Sequence, residues 1–187
     1  MIFDSDDFGC NHIISDQCQS HDCRDMLLLF KEANPNFKAT LFTIPCETTI
    51  EIMEWARQNN DWIELAVHGF FHTSNYECEK ITYEEFDANM NALSVITKSY
   101  FVKGFKAPGW QISDDAFRWL KDNGYWVADQ HYNDERRPEE LSVYHVGDNS
   151  IHTHTWDCVG NGVYELKDEI LKRIKGVEEF KFISEVV

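Results

Sequence analysis

The 187 residues contain no Cys-x-x-Cys pair and only four prolines. Without paired cysteines neither a zinc ribbon nor a thioredoxin-type redox centre has a place to form. The six cysteines, Cys10, Cys18, Cys23, Cys46, Cys78 and Cys158, are even in number. A chain of this length, however, buries roughly 70% of its unfolded surface and needs no disulfide staples. They are expected to be free thiols. No stretch approaches the ~18 consecutive apolar residues of a membrane span. The start, Met1-Ile2-Phe3-Asp4, is acidic where a secretory signal is basic and then apolar. These absences point to a cytoplasmic chain without a membrane partner.

Basic residues are scarce as well: 17 Lys and Arg stand against 33 Asp and Glu, for a net charge of −16. Such a surface repels phosphate backbones, so nucleic acid is excluded as a partner. What is present is apolar material, 43% hydrophobic and 14% aromatic, enough for a packed core. At ~150 residues per domain the chain reads as one domain over residues 1–187. It shows no internal repeat, low-complexity tract or linker.

Short apolar runs alternate with amphipathic segments, the pattern of parallel strands joined by crossover helices, so the fold class is α/β. Ile2-Phe3 opens a strand that ends in Asp4, Asp6 and Asp7. Arg24 to Ala33 reads as a helix stopped by Asn34-Pro35, and Ala39 to Ile44 as a strand. Thr48 or Thr49 caps a helix to about Asn59, and Trp62 to Val67 form a strand that delivers His68. Thr82 and Glu85 carry a capping-box signature, from which Phe86, Met90, Leu93 and Ile96 or Thr97 continue one helical stripe. Gly104 to Pro108 form a short strand and turn, Ser113 starts a helix that Gly124 ends, and Tyr125 to Asp129 form a strand. Asp134 to Glu140 is expected as a charged solvated loop. Val143 to Val146 reads as an edge strand, Ser150 to Trp156 as the last strong strand and Glu165 to Lys175 as a helix, with an apolar tail able to add another strand.

Polar residues gather where these strands end. Asp6 and Asp7, His68 and His72, Lys106, Asp129 and His154 all fall on the rim where parallel α/β folds bind ligands. His68-Gly69-Phe70-Phe71-His72 brings two imidazoles to one face if the segment turns helically, and two histidines with a carboxylate suit a divalent metal. Asp4, Asp6 and Asp7 crowd three like charges together, which calls for a cation or a proton and for one perturbed carboxylate able to act as a base. The cluster Cys10, His12, Cys18, His21 and Cys23 fits no standard finger spacing and reads as a surface loop sooner than as a metal site.

Five segments carry a resemblance. In order, Asp6-Asp7, Lys38-Ala39-Thr40-Leu41-Phe42, the His68/His72 motif, Gly104-Phe105-Lys106-Ala107-Pro108 and the strand with His154 resemble the metal-dependent polysaccharide deacetylases, carbohydrate esterase family 4, over about residues 2 to 158. Asp6-Asp7-Phe8-Gly9 is nearer to the related chitooligosaccharide deacetylases. The resemblance implies a distorted, compact (β/α) barrel that hydrolyses N-acetyl groups from an amino sugar or glycan with a divalent metal ion, zinc foremost. It implies Asp6 as general base, Asp7, His68 and His72 as metal ligands, and His154 as general acid. The Asp-x-Asp pattern of some peptidoglycan deacetylases would instead make Asp4 the base and Asp6 the ligand.

Lys106 stands where the family has an arginine that holds the base, keeping the charge but losing the bidentate fork. Asp129, after the next strand, is expected to pair with it. Pro108, Trp110, Trp156 and His152 are expected at the substrate, the indoles stacking on a sugar ring and His152 sharing the strand parity of His154. Two other functions fit the same residues. One is an amide or cyclic-amide hydrolase on the same barrel. The other is a metal-containing carbohydrate-binding protein with impaired catalysis, which Lys106 favours. An Asp pair kept together with His154 favours the hydrolase, because a binder has no use for a proton donor opposite a base.

Overall fold

The computed structural model describes residues 1–9, 22–147, 150–154 and 164–187. Seven strands make one all-parallel sheet: β1 (Ile2–Asp6), β2 (Ala39–Thr43), β3 (Ile63–His68), β4 (Phe101–Lys106), β5 (Trp126–Asp129), β6 (Val143–His145) and β7 (Ser150–His154). Their spatial order is β6-β5-β4-β3-β2-β1-β7, and the sheet curls into a half-barrel. Helices α1 (Arg24–Ala33), α2 (Ile50–Gln58), α3 (Tyr83–Ala92), α4 (Ser94–Tyr100) and α5 (Asp114–Asp122) fill the crossovers, and α6 (Tyr164–Ile174) follows β7. Crossovers are what parallel pairing requires, since a tight turn cannot reverse the chain twice. The expected distorted barrel is therefore present as an α/β half-barrel.

Strand parity divides the residues between two faces. Phe3, Leu41, Leu65, Val67, Phe105 and Val127 face outward into the helix layer. There Phe3, Phe30 and Phe37 meet edge to face with ring centroids 5.0–5.7 Å apart. Each such buried ring stabilises the fold by roughly 1.5–3 kcal/mol. Ile2, Phe42, Ala66, Trp126, Ala128 and Tyr144 face inward and fill the floor of the half-barrel with Ile183. Above that floor the same inward parity on β1, β4 and β7 presents polar side chains.

Local chemistry sets the helix ends. Thr49 caps α2 by accepting from the Ile52 N–H, Ser113 caps α5 by accepting from the Ala116 N–H, and Thr82 with Glu85 forms the expected reciprocal box at α3. The single stripe expected from Phe86 to Thr97 is two helices. The backbone reaches ψ −2° at Leu93, whose N–H is shared between the Asn89 and Asn91 carbonyls. The apolar tail adds no strand: Ile183–Glu185 form a 3-10 turn, with Ile183 plugging the inner floor. Nor is the Asp134 to Glu140 stretch fully solvated, because the Arg137 side chain is buried. Among the described residues Cys46 and Cys78 are free thiols, the first exposed and the second buried, and Cys23 is buried. No helix among the described residues is long and apolar enough to cross a membrane.

Candidate active site

A cleft of about 620 Å³ opens at the C-terminal ends of the strands, lined among others by Asp6, Asp7, His68, His72, Trp110, His152 and His154. Adjacent strand residues normally face opposite sides, yet Asp6 and Asp7 both line it. Asp7 achieves this by adopting a left-handed conformation, φ 58°, as the chain leaves β1. His72 (φ 48°) and Trp110 (φ 62°) are the other non-glycine residues with positive φ among the described residues, and both line the same cleft. Such conformations cost of order 1–3 kcal/mol each and gather where function fixes the backbone.

The loop after β3 is held from within. Glu77 accepts the backbone N–H groups of Phe70 (2.6 Å), Phe71 (3.3 Å) and His72 (2.8 Å). Gly69, at φ 63°, is needed there because a Cβ would meet Glu77 Oε1 at 2.0 Å and Pro108 Cγ at 2.7 Å. His68 Nδ1 lies 3.0 Å from the Lys106 carbonyl oxygen. A carbonyl only accepts, so Nδ1 carries the proton and Nε2 presents its lone pair to the cleft.

Two groups of side chains result. In the first, Asp7 Oδ1 lies 3.6 Å from His68 Nε2 and 3.7 Å from His72 Nε2. That oxygen is buried and has no hydrogen-bond partner among the described residues. A buried acceptor without a donor is costly unless a cation meets it, so the three atoms fit a divalent metal. Burial pushes the His68 imidazole below its ordinary range, against the pull of Asp6 and Asp7, in the direction of the neutral form that ligation requires.

In the second group, the fully buried Lys106 donates to Asp6 Oδ1 at 2.6 Å and lies 3.7 Å from Asp4 Oδ1. Its ammonium also sits 4.2 Å from the Trp110 ring centroid and 4.8 Å from that of Phe42. Burial pushes the Asp6 carboxyl up, but Lys106, with His68, His152 and His154 around it, outweighs burial and holds it well below the usual carboxylate range. Asp6 Oδ2 faces the Nε2 atoms of His68, His152 and His154 at 3.9, 3.9 and 4.0 Å. One oxygen is thus clamped and the other is presented to the cleft.

Asp129 does not pair with Lys106. It shares the outward parity of Val127 and is covered by Asn133 Nδ2 at 2.9 Å and Arg137 Nε at 3.9 Å, and burial pushes its carboxyl up. Pro108 is buried beneath Gly69 and is not among the cleft-lining residues. Trp110 and His152 do line the cleft, with ring centroids 5.8 Å apart. Trp156, Cys10, His12, Cys18 and His21 lie outside the described residues, and Cys23 is buried. Sequence reasoning missed Glu77, Asn133 and Arg137. It also missed that Asp4 accepts from His152, with Oδ1 and Nδ1 2.6 Å apart. The β1–β7 register that pairs Asp4 with His152 and Asp6 with His154 is the signal that locates this contact.

Fold and cleft together define an α/β half-barrel with a carboxylate and imidazole site on its strand ends. Neither a family model nor a curated protein matches the chain. Solved structures do. A chitin deacetylase from the fungal pathogen Colletotrichum lindemuthianum is 16% identical with a TM-score of 0.63, covering 100% of this chain and 86% of that one. A family 4 acetyl xylan esterase from Clostridium thermocellum, in complex with a cobalt ion, is 15% identical with a TM-score of 0.61, covering 99% and 88%. A carbohydrate esterase family 4 pseudoenzyme from Bacillus anthracis is 11% identical with a TM-score of 0.57, covering 98% and 63%. The chain shares the fold of these proteins.

Proposed function

We propose that the chain is a metal-dependent hydrolase that removes N-acetyl groups from an amino sugar or glycan within a single catalytic domain. The observation that carries the reading is the juxtaposition, in one cleft, of the donor set Asp7, His68 and His72 with a carboxylate, Asp6, clamped on Lys106. Asp7, His68 and His72 would hold the ion, which when bound polarises the acyl carbonyl and acidifies water. Zinc suits two imidazoles and a carboxylate. The alternative that makes Asp4 the base and Asp6 the ligand is disfavoured, because a dication there would face the Lys106 ammonium.

Asp6 accepts a proton from the attacking water at Oδ2, since Lys106 occupies Oδ1. An imidazole of β7 gives a proton to the amine, which cannot depart as an anion. General acid–base assistance of this kind contributes about 10²–10⁴-fold. Trp110, held over Lys106 at the mouth, offers an aromatic face to a sugar ring.

A second reading, a binding protein with impaired catalysis, draws support from the pseudoenzyme among the structural neighbours. Acetate release decides between them. Chelated and zinc-restored protein should be compared on N-acetylated sugars from monosaccharide to oligomer. Zinc-dependent acetate supports the hydrolase; stoichiometric zinc binding with no acetate from any sugar supports the binder.

A further inference from the structure

Resting on the deacetylase reading, we infer that Asn133 and Asp129, which do not line the cleft, are positioning residues that hold Trp110 as the wall against which the sugar ring binds. Gly109 and Trp110 are consecutive left-handed residues, φ 57° and 62°. Glycine takes this conformation freely, but a tryptophan keeps it only where the surroundings over-determine the backbone. Here they do so from both sides of the residue. The Trp110 N–H donates to the Ala107 carbonyl at 3.1 Å, and the Trp110 carbonyl accepts twice, from Tyr132 Oη at 3.1 Å and from Asn133 Nδ2 at 3.2 Å.

The Asn133 side chain is fixed in turn. Its Nδ2 also donates to Asp129 Oδ1 at 2.9 Å, and its Oδ1 accepts from Arg136 Nη1 at 3.2 Å. Two acceptors on one side and a donor on the other leave one orientation of the amide that satisfies all three contacts. Arg136 Nη2 donates to the Ile112 carbonyl at 2.6 Å, so residues 131–136 grip the chain at Trp110 and again two residues later. Asn133 and Asp129 are both buried, where hydrogen bonds are stronger than in water. Asp129 ends β5, which pairs with β4, the strand that leads into Trp110.

The held indole lies 4.2 Å from the Lys106 ammonium and 5.8 Å from the His152 ring, at the lining of the cleft. A ring that stacks on a sugar binds ground state and transition state alike, so the clasp acts on KM and not on kcat. Asp129, which does not reach Lys106, thus serves the cleft through Asn133 and the backbone of Trp110.

The test measures acetate release by the zinc-loaded full chain from two substrates: the N-acetylglucosamine oligomer that the wild type cleaves fastest, and ethyl acetate, which carries the acetyl group without a ring. Tyr132→Phe deletes one hydrogen bond at an exposed residue, where folding is not at stake, and KM for the oligomer should rise about 2–10-fold. Asn133→Leu deletes the buried hydrogen bonds and should raise KM on the order of 10–10²-fold, with kcat and ethyl acetate turnover within about twofold of wild type. Asp129→Ala should follow Asn133→Leu, whereas Asp129→Asn, which keeps an acceptor for Asn133, should restore KM. In a Trp110→Ala background Asn133→Leu should raise KM no further, because the ring it positions is gone. A fall in kcat with KM unchanged, an equal loss on ethyl acetate, or an undiminished effect of Asn133→Leu in the Trp110→Ala background overturns the inference and leaves the deacetylase standing. A wild type that cleaves ethyl acetate but no N-acetylated sugar overturns the deacetylase reading and the inference with it.

Discussion

Lys106 is the residue whose removal the structure makes most consequential. Its ammonium is fully buried, 2.6 Å from Asp6 and 3.7 Å from Asp4, and Asp7 adds a third buried carboxylate nearby. Lys106→Met keeps the aliphatic length and deletes the charge, leaving those carboxylates uncompensated. Removing one partner of a buried pair costs about 3–5 kcal/mol. For a chain of this length, where 1 kcal/mol moves Tm by about 2–4 °C, the midpoint should drop by on the order of 6–20 °C.

The cost arises from unpaired charge and not from lost packing, so a second change should relieve it. Asp6→Asn in the Lys106→Met background removes one of the orphaned charges. Urea unfolding of the four proteins should give a coupling energy of about 1–3 kcal/mol between the positions. Additivity within about 0.5 kcal/mol would refute the ion pair as the source of the effect. Lys106→Arg is no repair. The ammonium sits between the rings of Trp110 and Phe42, and a guanidinium must displace them at a cost of about 1–3 kcal/mol.

Other outcomes follow from the same geometry. His68→Ala, His72→Ala and Asp7→Asn should each lose zinc by equilibrium dialysis, whereas Asp6→Asn should keep zinc and lose turnover; the opposite pattern for the two aspartates would move the ligand to Asp6. Glu77→Ala frees three N–H groups of the loop that carries His72 and should weaken zinc binding about 10–100-fold by calorimetry, with unchanged affinity counting against a positioning role. Glu64, on the inner floor, accepts from Thr40 and from Ser184, and burial pushes its carboxyl above the ordinary range. A raised carboxyl binds protons more tightly when folded, so its contribution to stability is complete below the unfolded value and is lost as pH rises through the folded one. Wild type should therefore lose stability relative to Glu64→Gln as pH rises above the ordinary carboxylate range in urea titrations, and a constant difference would contradict the raised carboxyl.

What the sequence revealed and what it hid divide along a physical line. The helix caps and the polar strand ends were legible because each depends on a few consecutive residues: Thr82 with Glu85, or an apolar run closing on His68. The face of a strand buried on both sides was not. Trp126, Val127 and Ala128 are all apolar, so alternation does not tell which face Asp129 joins, and only the packing of Val127 against the helix layer puts it outward. Arg137, which with Asn133 covers Asp129, comes from a stretch whose charge read as solvation.

The same line explains Lys106. As a replacement for an arginine fork it looked like a loss, because one ammonium cannot grip a carboxylate at two points. Three N–H donors on a point charge can instead be held from several sides. Asp6 on one side and Asp4 on the other lie within 4 Å of the nitrogen, and both come from β1 with the spacing that one strand face requires. Asp4 also meets His152, 148 residues away in sequence, because β1 and β7 pair in register. A lysine in that position thus becomes workable through an acid two residues before Asp6, and no local pattern announces a partnership settled by which strands pair.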